Sequence, residues 1–437
     1  RDWSSDVCSS DLSAYFGKRR NGLLEFGPLW DFDRALNSTD GRDANPRVWR
    51  SKVGDMGTPF FTFSWWGRMF TDLEFWQAYI DRYQELRRDQ FSTTSLLARV
   101  DGLANTIRRA ASRDWGRWGA SPRTTSYQGE VNIMKSWLGA RVDFMDSQFV
   151  GLPLLGRDPG RVDRGAMVTL TGPTNATVYY TLDGSDPRAR GGGIGATARA
   201  YTGPLTVNTN TRIRARAWNP GHKPLVGGDN PPLLSVWSGI VEGAYITDLS
   251  PLRVSEIHFD PVDGPDAGAD DFEFVELLNT GAAALNIAGY RLAGAVQFAV
   301  ATTNAVRSIG PGQRGVVVAN RVAFAARYPA VTNMIVLGEF SGRLSKEGET
   351  LVLLGSLGET IQAIAYLPTW RRPGSAKGSS LVPVSERQDI DAWSGETGWR
   401  GSASGSGSPG RIDVASLPPR SEEHTSELQS RVDISYA

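Results

Sequence analysis

Residues 177–184, TVYYTLDG, decide the fold class of this chain. The β-branched and aromatic residues favour a strand, and Asp183-Gly184 is a strong turn signal. Farther along, residues 211–218 (TRIRARAW) alternate strictly, with apolar side chains on one face. Short strands separated by turns over residues 166–245 therefore predict a small β-sandwich.

Residues 13–150, on the N-terminal side of this sandwich, follow a helical period instead. Apolar residues recur three and four positions apart, as they do on one face of a helix. The three stripes are Met69, Leu73, Trp76, Ile80 and Tyr83; Leu96, Val100, Leu103 and Ile107; and Val131, Met134, Leu138, Val142, Met145 and Phe149. We expect three helices that pack on each other or on a shared core, joined to the sandwich by a Gly- and Pro-rich linker at 151–165.

The C-terminal half of the chain repeats the strand pattern. Strand-like runs alternate with Gly-rich turns over residues 250–400, which predicts a second β module. Residues 401–410, GSASGSGSPG, are typical of a flexible linker, so we expect a linker over 401–419. The predicted fold is therefore multidomain: a mainly helical part followed by two β-sandwich domains.

Composition excludes several classes of protein. The 437 residues are 40% hydrophobic and 22% charged, which is typical of a globular chain. The formal net charge is zero, so no nucleic-acid partner is expected. No apolar run reaches the roughly 18 residues that a membrane span needs. A single Cys excludes a disulfide framework.

The two ends of the chain are related at the level of their coding sequence. Residues 420–430, RSEEHTSELQS, have a codon choice whose reverse complement translates to residues 2–12, DWSSDVCSSDL. Two unrelated segments would almost never show this relation. We expect residues 1–12 and 420–437 to be translated sequencing adapter, and we exclude them from fold reasoning.

Residues 21–38, NGLLEFGPLWDFDRALNS, are the most informative segment for chemistry. A strand-like run leads into Asp31 and Asp33, two carboxylates that can both reach one divalent cation. Mg²⁺ prefers a few carboxylates together with phosphate oxygens. By spacing alone, a turn with solvated Asp residues is the better interpretation, since such short motifs arise often by chance.

Resemblance to a family changes that balance. The element Gly27-Pro28-Leu29-Trp30-Asp31-Phe32-Asp33-Arg34-Ala35-Leu36 and the helical tail after it resemble the spore-coat CotH kinase family. The resemblance implies an atypical protein kinase fold, in which Asp31 or Asp33 holds Mg²⁺ next to the phosphates of ATP. It also implies that the nucleotide-binding lobe and the catalytic-loop Asp precede Ser13. Residues 13–419 are therefore expected to be inactive by themselves, with Mg²⁺ and ATP as cofactors of the intact parent.

The two β modules also resemble known domains. Residues 178–187, 201–204 and 211–218 are similar to the chitobiase/β-hexosaminidase C-terminal domain, a fibronectin type III-like sandwich. Trp218 is a candidate for stacking on a sugar ring, with core packing as the alternative. Residues 254–257, 274–279, 285–292 and 351–354 resemble a lamin-tail domain, an immunoglobulin-like sandwich. Glu276 and Asn279 are expected there to make structural hydrogen bonds.

An acidic loop of the second β module is a weaker candidate site. It contains Asp260, Asp263, Asp266, Asp270 and Asp271. Five carboxylates can chelate Ca²⁺, but the spacing is not that of an EF-hand loop. A solvated acidic loop is the alternative.

Two hypotheses about function follow. In the first, the chain is a fragment of a secreted bacterial CotH-like atypical protein kinase. In the second, it is an extracellular multi-module binding or structural protein on a degenerate kinase-like scaffold, with a surface protein or a polysaccharide as partner. The types of module predict an extracellular or cell-surface location in both.

Overall fold

The computed structural model describes residues 14–18, 20, 22, 24–29, 36, 44–49, 61, 64–118, 123–222, 231–301, 303, 306–329, 334–371 and 375–414. The chain divides into two compact units, residues 1–245 and residues 246–437. The first unit contains a helical part and a β-sandwich-like part, and the second is mainly β.

Four helices form the helical part of the first unit. They are α1 (Ser64–Phe70), α2 (Leu73–Arg87), α3 (Thr93–Trp118) and α4 (Tyr127–Gln148). Asp72 caps α2, because its side chain accepts hydrogen bonds from the backbone N–H groups of Glu74 and Phe75. Before these helices, strands β1 (Ala14–Lys18) and β2 (Leu24–Leu29) pair in antiparallel fashion.

The helical core is aromatic and lies between α2 and α4. Trp76 and Ile80 of α2 pack with Phe144 and Phe149, and all four are buried. Trp76, Ile80 and Phe149 belong to two of the three predicted stripes, whereas Phe144 lies outside them. The first stripe, predicted as one helix, is divided, because Met69 lies in α1 and Leu73 begins α2. The α3 stripe differs: none of the described residues of α3 is buried, and Leu103 remains 63% exposed. Helix α3 contacts α4 through polar groups instead, such as the Lys135–Asp101 ion pair at 2.6 Å.

The sandwich-like part of the first unit is built from short strands. They are β3 (Leu154–Leu155), β4 (Gly160–Arg161), β5 (Ala166–Val168), β6 (Leu170–Thr171), β7 (Thr177–Thr181), β8 (Arg199–Ala200), β9 (Leu205–Val207), β10 (Thr211–Trp218) and β11 (Val241–Ile246). A five-stranded sheet has the order β4-β11-β10-β7-β8, and β3–β6 and β5–β9 form two-stranded sheets. Val178 of β7 and Ile213 of β10 point into the core, as their alternation predicts.

The linker predicted at 151–165 is wrong for much of its length. Strands β3 and β4 lie within it and pair with the sandwich, and Val162 is buried in the sandwich core. The Gly and Pro residues there shape turns between very short strands, and composition alone does not distinguish such turns from a free connection.

The second unit is mainly β and contains a six-stranded sheet, a five-stranded sheet and a two-stranded sheet. Its strands are β12 (Leu252–His258), β13 (Phe274–Asn279), β14 (Leu285–Asn286), β15 (Arg291–Gly294), β16 (Val296–Ala299), β17 (Ser308–Ile309), β18 (Arg314–Val318), β19 (Ile335–Glu339), β20 (Ser341–Gly342), β21 (Glu349–Leu354), β22 (Thr360–Tyr366), β23 (Leu381–Pro383) and β24 (Trp399–Gly401). The sheets have the orders β19-β18-β13-β12-β23-β24 and β20-β16-β15-β21-β22, and β14 pairs with β17. Helix α5 (Arg321–Arg327) connects β18 to its parallel neighbour β19.

Side chains from both larger sheets share one buried core in the second unit. Val254 and Leu277 from the first sheet and Leu353 and Ile364 from the second belong to it. Short 3₁₀ turns at Ala269–Phe272, Pro368–Arg371 and Glu396–Gly398 complete the unit. The arrangement supports the predicted sandwich-like architecture for this half of the chain.

The flexible linker predicted at 401–419 is also wrong for the residues that the structure describes. Ser402 and Ser408 are 4% and 3% exposed, and the segment lies against β12, β13 and β23. Small residues are needed here because the backbone packs closely against the sheet. The Gly- and Ser-rich composition therefore reflects this close packing and not a flexible linker.

Candidate functional site

The predicted Mg²⁺ ligands lie outside the described residues. Strand β2 ends at Leu29, directly before the element that contains Asp31 and Asp33. The strand-like run that leads into this element therefore forms a strand, as expected. The metal-binding role of the two Asp residues stays a prediction.

The best-defined polar cluster of the first unit lies between α2 and the outer face of the sandwich. Arg216 of β10 is only 2% exposed. Its guanidinium donates to both carboxylate oxygens of Asp81 on α2, at 2.5 and 2.8 Å. It also donates to both oxygens of Asp186, at 2.7 Å each, and to the Ser238 carbonyl at 2.8 Å. One buried cation thus joins a helical carboxylate to a sandwich carboxylate, and we call these three side chains the Arg216 clamp.

The charge state of the clamp follows from its surroundings. Burial alone would raise the pKa of Asp186, but the hydrogen bonds and the positive charge of Arg216 outweigh it and hold that pKa below its usual value. Arg216 and Asp186 therefore form an ionic pair at neutral pH. Paired, fully hydrogen-bonded charges are the form in which buried ions are tolerated.

Further polar contacts tie α2 to the same sandwich. Arg188, which is 8% exposed, forms an ion pair with Glu74 at 2.8 Å. The hydrogen bond from Arg188, reinforced by the Gly191 N–H, lowers the pKa of Glu74 to about 2. Gln84 accepts a hydrogen bond from the Gly239 N–H at 2.6 Å. The helical part and the sandwich are therefore joined by directional, buried bonds along α2.

Trp218 lies at the end of the sheet face that carries Arg216. It is half-buried, and its ring meets Tyr179 edge-to-face at 6.0 Å between centroids. The buried Trp237 packs behind both rings and donates its indole N–H to the Gly192 carbonyl. Tyr179 is the direct cross-strand partner of Arg216. Trp218 therefore packs partly into the structure and stays partly accessible. Its role in stacking on a sugar ring stays a prediction.

The acidic loop is divided among several separate partners. Asp260 pairs with Arg371, Asp270 with Arg343, Asp271 accepts from Asn320, Asp263 accepts from the Ala269 N–H, and Asp266 is exposed. Within the described part of the chain, no group of three or more His, Cys, Asp or Glu residues is placed to hold a metal ion. The Ca²⁺ site stays a prediction. In the structure these carboxylates contact cations and N–H groups of the protein, and Lys346 lies 3.8 Å from Asp260 and 3.5 Å from Asp270.

Sequence reasoning named Glu276 only for structural hydrogen bonds and missed its pairing with Glu256. Glu256 and Glu276 are direct cross-strand partners in β12 and β13 and are 1% and 2% exposed. Burial, followed by the charge of Glu276, raises the pKa of Glu256 to about 8, and burial raises that of Glu276 to about 7. The available signal was a Glu inside each of two apolar strands, VSEIHF and FVELLN. The expected structural hydrogen bonds of Glu276 and Asn279 are confirmed.

Comparison with protein families identifies two regions of the chain. Residues 4–145 match the CotH kinase protein family. Residues 157–225 match the chitobiase/beta-hexosaminidase C-terminal domain. The CotH match covers α1 to most of α4 and the element with Asp31 and Asp33. The CotH match begins at residue 4, inside the segment expected to be adapter. The resemblance of residues 250–400 to a lamin-tail domain stays a prediction.

Other comparisons add little to the CotH match. No curated protein matches the chain. A DUF4876 family protein from Bacteroides thetaiotaomicron is similar at 10% identity, over 60% of this chain and 95% of that one, with a TM-score of 0.23. A likeness of that size carries no argument about fold or function. In the described part of the chain, no helix is both long enough and apolar enough to cross a membrane.

Proposed function

We propose that this CotH-like chain works outside the cell as a scaffold that binds polysaccharide. The observation that carries the proposal is the Arg216 clamp, which joins the CotH-like helices to the chitobiase-type sandwich by buried ionic bonds. Two modules joined in this way present their surfaces in a fixed relation, as a binding scaffold requires. A kinase-like region can serve such a scaffold without phosphoryl transfer.

The partly accessible pair Tyr179 and Trp218 supports polysaccharide as the ligand. Aromatic faces stack on the apolar faces of sugar rings, and an aromatic pair held by a buried neighbour is already ordered before the ligand arrives. Here Trp237 supplies that support from behind. Because Tyr179 lies opposite Arg216, the aromatic pair and the clamp share one face of one sheet.

Co-sedimentation of the full chain with chitin, cellulose and peptidoglycan tests the proposal. We expect at least one polymer to retain the chain. Trp218→Ala should weaken that retention at least about tenfold, because the ring that stacks on the sugar is lost. Trp118→Ala is the matched control, because Trp118 is 73% exposed on α3. Retention of the wild type by none of the polymers, or equal retention of both variants, would remove the support for a glycan scaffold. Protease accessibility on intact cells tests the location.

A second candidate function, Mg²⁺-dependent nucleotide binding, is favoured by the family match over residues 4–145. Asp31 and Asp33 would hold the ion, which supplies charge neutralisation next to the phosphates when bound. Calorimetry of the full chain with Mg²⁺ alone tests the metal site of this function. We expect Mg²⁺ binding that Asp31→Asn with Asp33→Asn abolishes and the exposed control Asp114→Asn preserves. Binding unaffected by the double substitution would contradict this role.

A further inference from the structure

Residues 402–413, which we call the strap, are fastened to the second unit at several points. The N–H of Ser402 donates to the Ser380 carbonyl at 2.9 Å, and the N–H of Ser380 donates to the Ser402 hydroxyl at 3.0 Å. Farther along, Asp413 accepts from Arg400 at 2.6 Å. The strap lies beyond the last strand of the sheet, so it has no β-ladder to hold it.

The middle of the strap is held by the two buried carboxyls. Glu256 accepts from the Ser408 N–H at 2.7 Å and from its hydroxyl at 3.3 Å. Glu276 accepts from the Gly410 N–H at 2.6 Å. The same two side chains also accept from Ser380 and Ser255. The strap therefore lies against both carboxyls, and its detachment would remove three of their hydrogen bonds.

We propose that the strap is a pH-sensitive closure of the second unit, which covers the Glu256–Glu276 pair at acidic pH and detaches as the pH rises.

The linkage between the strap and protons has a defined sign. In the closed state the pKa of Glu256 is raised to about 8 and that of Glu276 to about 7, against an ordinary value of 4.5. The closed state therefore binds more protons than a detached state in which water reaches both carboxyls. Closure is fully stabilised below about pH 4.5 and weakens as the pH rises through 7 and 8.

The N–H groups of Ser408 and Gly410 lower the pKa of Glu256 and of Glu276 respectively, and nearby cations act in the same direction, but burial outweighs them. Arg314 of β18 lies 3.2 Å from Glu276, but it also pairs with Glu386. Asp413 is paired with Arg400, and Tyr328 from the end of α5 faces Glu256. Arg387 and Arg411 are exposed at the rim of the adjoining cavity. Arg314 is shared by Glu276 and Glu386, so the pair carries an excess of negative charge once Glu256 also ionises.

The geometry also provides a route for water. A cavity of about 280 Å³ lies between the strap and residues 382–387, and both Glu256 and Glu276 line it. Gly407 crosses directly over Glu256: a Cβ at this position would lie 2.6 Å from the carboxylate, on a backbone with φ of +74°. Gly407→Ala should therefore detach the strap at any pH.

Hydrogen exchange of the full chain between pH 5 and pH 9, normalised for intrinsic rates, tests the strap. We expect protection of the strap amides to fall at least about tenfold between pH 6 and pH 8, while the amides of β21 and β22 keep theirs. Glu256→Gln should flatten this response. Glu396→Gln, an exposed carboxyl of the same unit, should leave it unchanged.

The wild-type series is decisive by itself. Strap protection that does not change from pH 5 to pH 9 would overturn the proposal, as would an unaltered response in a folded Glu256→Gln chain. Loss of protection in β21 and β22 together with the strap would also overturn it, since that pattern is unfolding of the whole unit. If Glu256→Gln does not fold, low strap protection in Gly407→Ala at pH 5 supports the proposal, and full protection there opposes it.

Discussion

Replacing Arg216 by Met should destabilise the first unit more than replacing any surface cation on the same sheet face. The Met side chain fills much of the same space without donors, so Asp81 and Asp186 lose a buried partner. Five hydrogen bonds of 2.5–2.8 Å are removed at once. Breaking a fully buried ion pair on one side costs about 3–5 kcal/mol. The Asp81 and Asp186 side chains are 28% and 36% exposed, so water screens the charges that remain and we expect the lower end of this range.

The matched control for this change is Arg212→Met. Arg212 lies on the same strand and the same face, but its side chain is 27% exposed and its Glu242 partner is 3.6 Å away. An exposed pair of this kind contributes about 0–1 kcal/mol. Asp81→Asn should lie between the two, because Arg216 keeps Asp186.

Native-state hydrogen exchange in urea is the assay, since it reports the free energy of unfolding for amides of α2 and β10 separately. We expect Arg216→Met to lower both values together. The double variant Asp81→Asn with Arg216→Met should cost less than the sum of the single changes, which measures the coupling. The clamp hypothesis fails if Arg216→Met costs no more than Arg212→Met.

Two further predictions concern the second unit. Gly398→Ala should lower its free energy of unfolding by about 1–3 kcal/mol, because a Cβ would meet the Ala392 carbonyl oxygen at 1.7 Å. In Gly395→Ala, the control, the Cβ would lie 3.8 Å from its nearest atom, so this change should be nearly neutral. Chemical denaturation of both variants measures the difference. Burial raises the pKa of Glu273 to about 7, so its contribution to stability is present below pH 4.5 and is lost as the pH rises through 7. The melting temperature should fall from pH 5 to pH 8, and Glu273→Gln should reduce that fall; an identical fall in the variant would contradict the assignment.

Periodicity predicted the elements well because it reports which face of each element is apolar. Helices α2 and α4 and strands β7 and β10 lie where their stripes indicate, and Ile80 and Ile213 are buried as their positions predict. Composition predicted less well. Gly and Ser at 401–410 indicated freedom, whereas in the structure they permit the close approach of a strap to Glu256.

The polar sites were beyond sequence reasoning for a different reason. The Arg216 clamp joins residues that are 135 positions apart, and nothing in the local pattern of either segment indicates the other. Alternation predicted that Arg216 would face away from the sandwich core, and solvent was the natural expectation for that face. Only the packing of α2 on this face makes a buried site of it.

The long separation within the clamp has a consequence for synthesis. Asp81 leaves the ribosome 135 residues before Arg216, which at roughly 5–20 residues per second means a delay of about 7–27 s. During this interval α2 exists without its counter-ion, and the face that carries Asp81 lacks the sandwich beside it. The nascent helices therefore lack these contacts until a later part of the chain is made. If translation stopped early, the helices would stay exposed to chaperones and proteases.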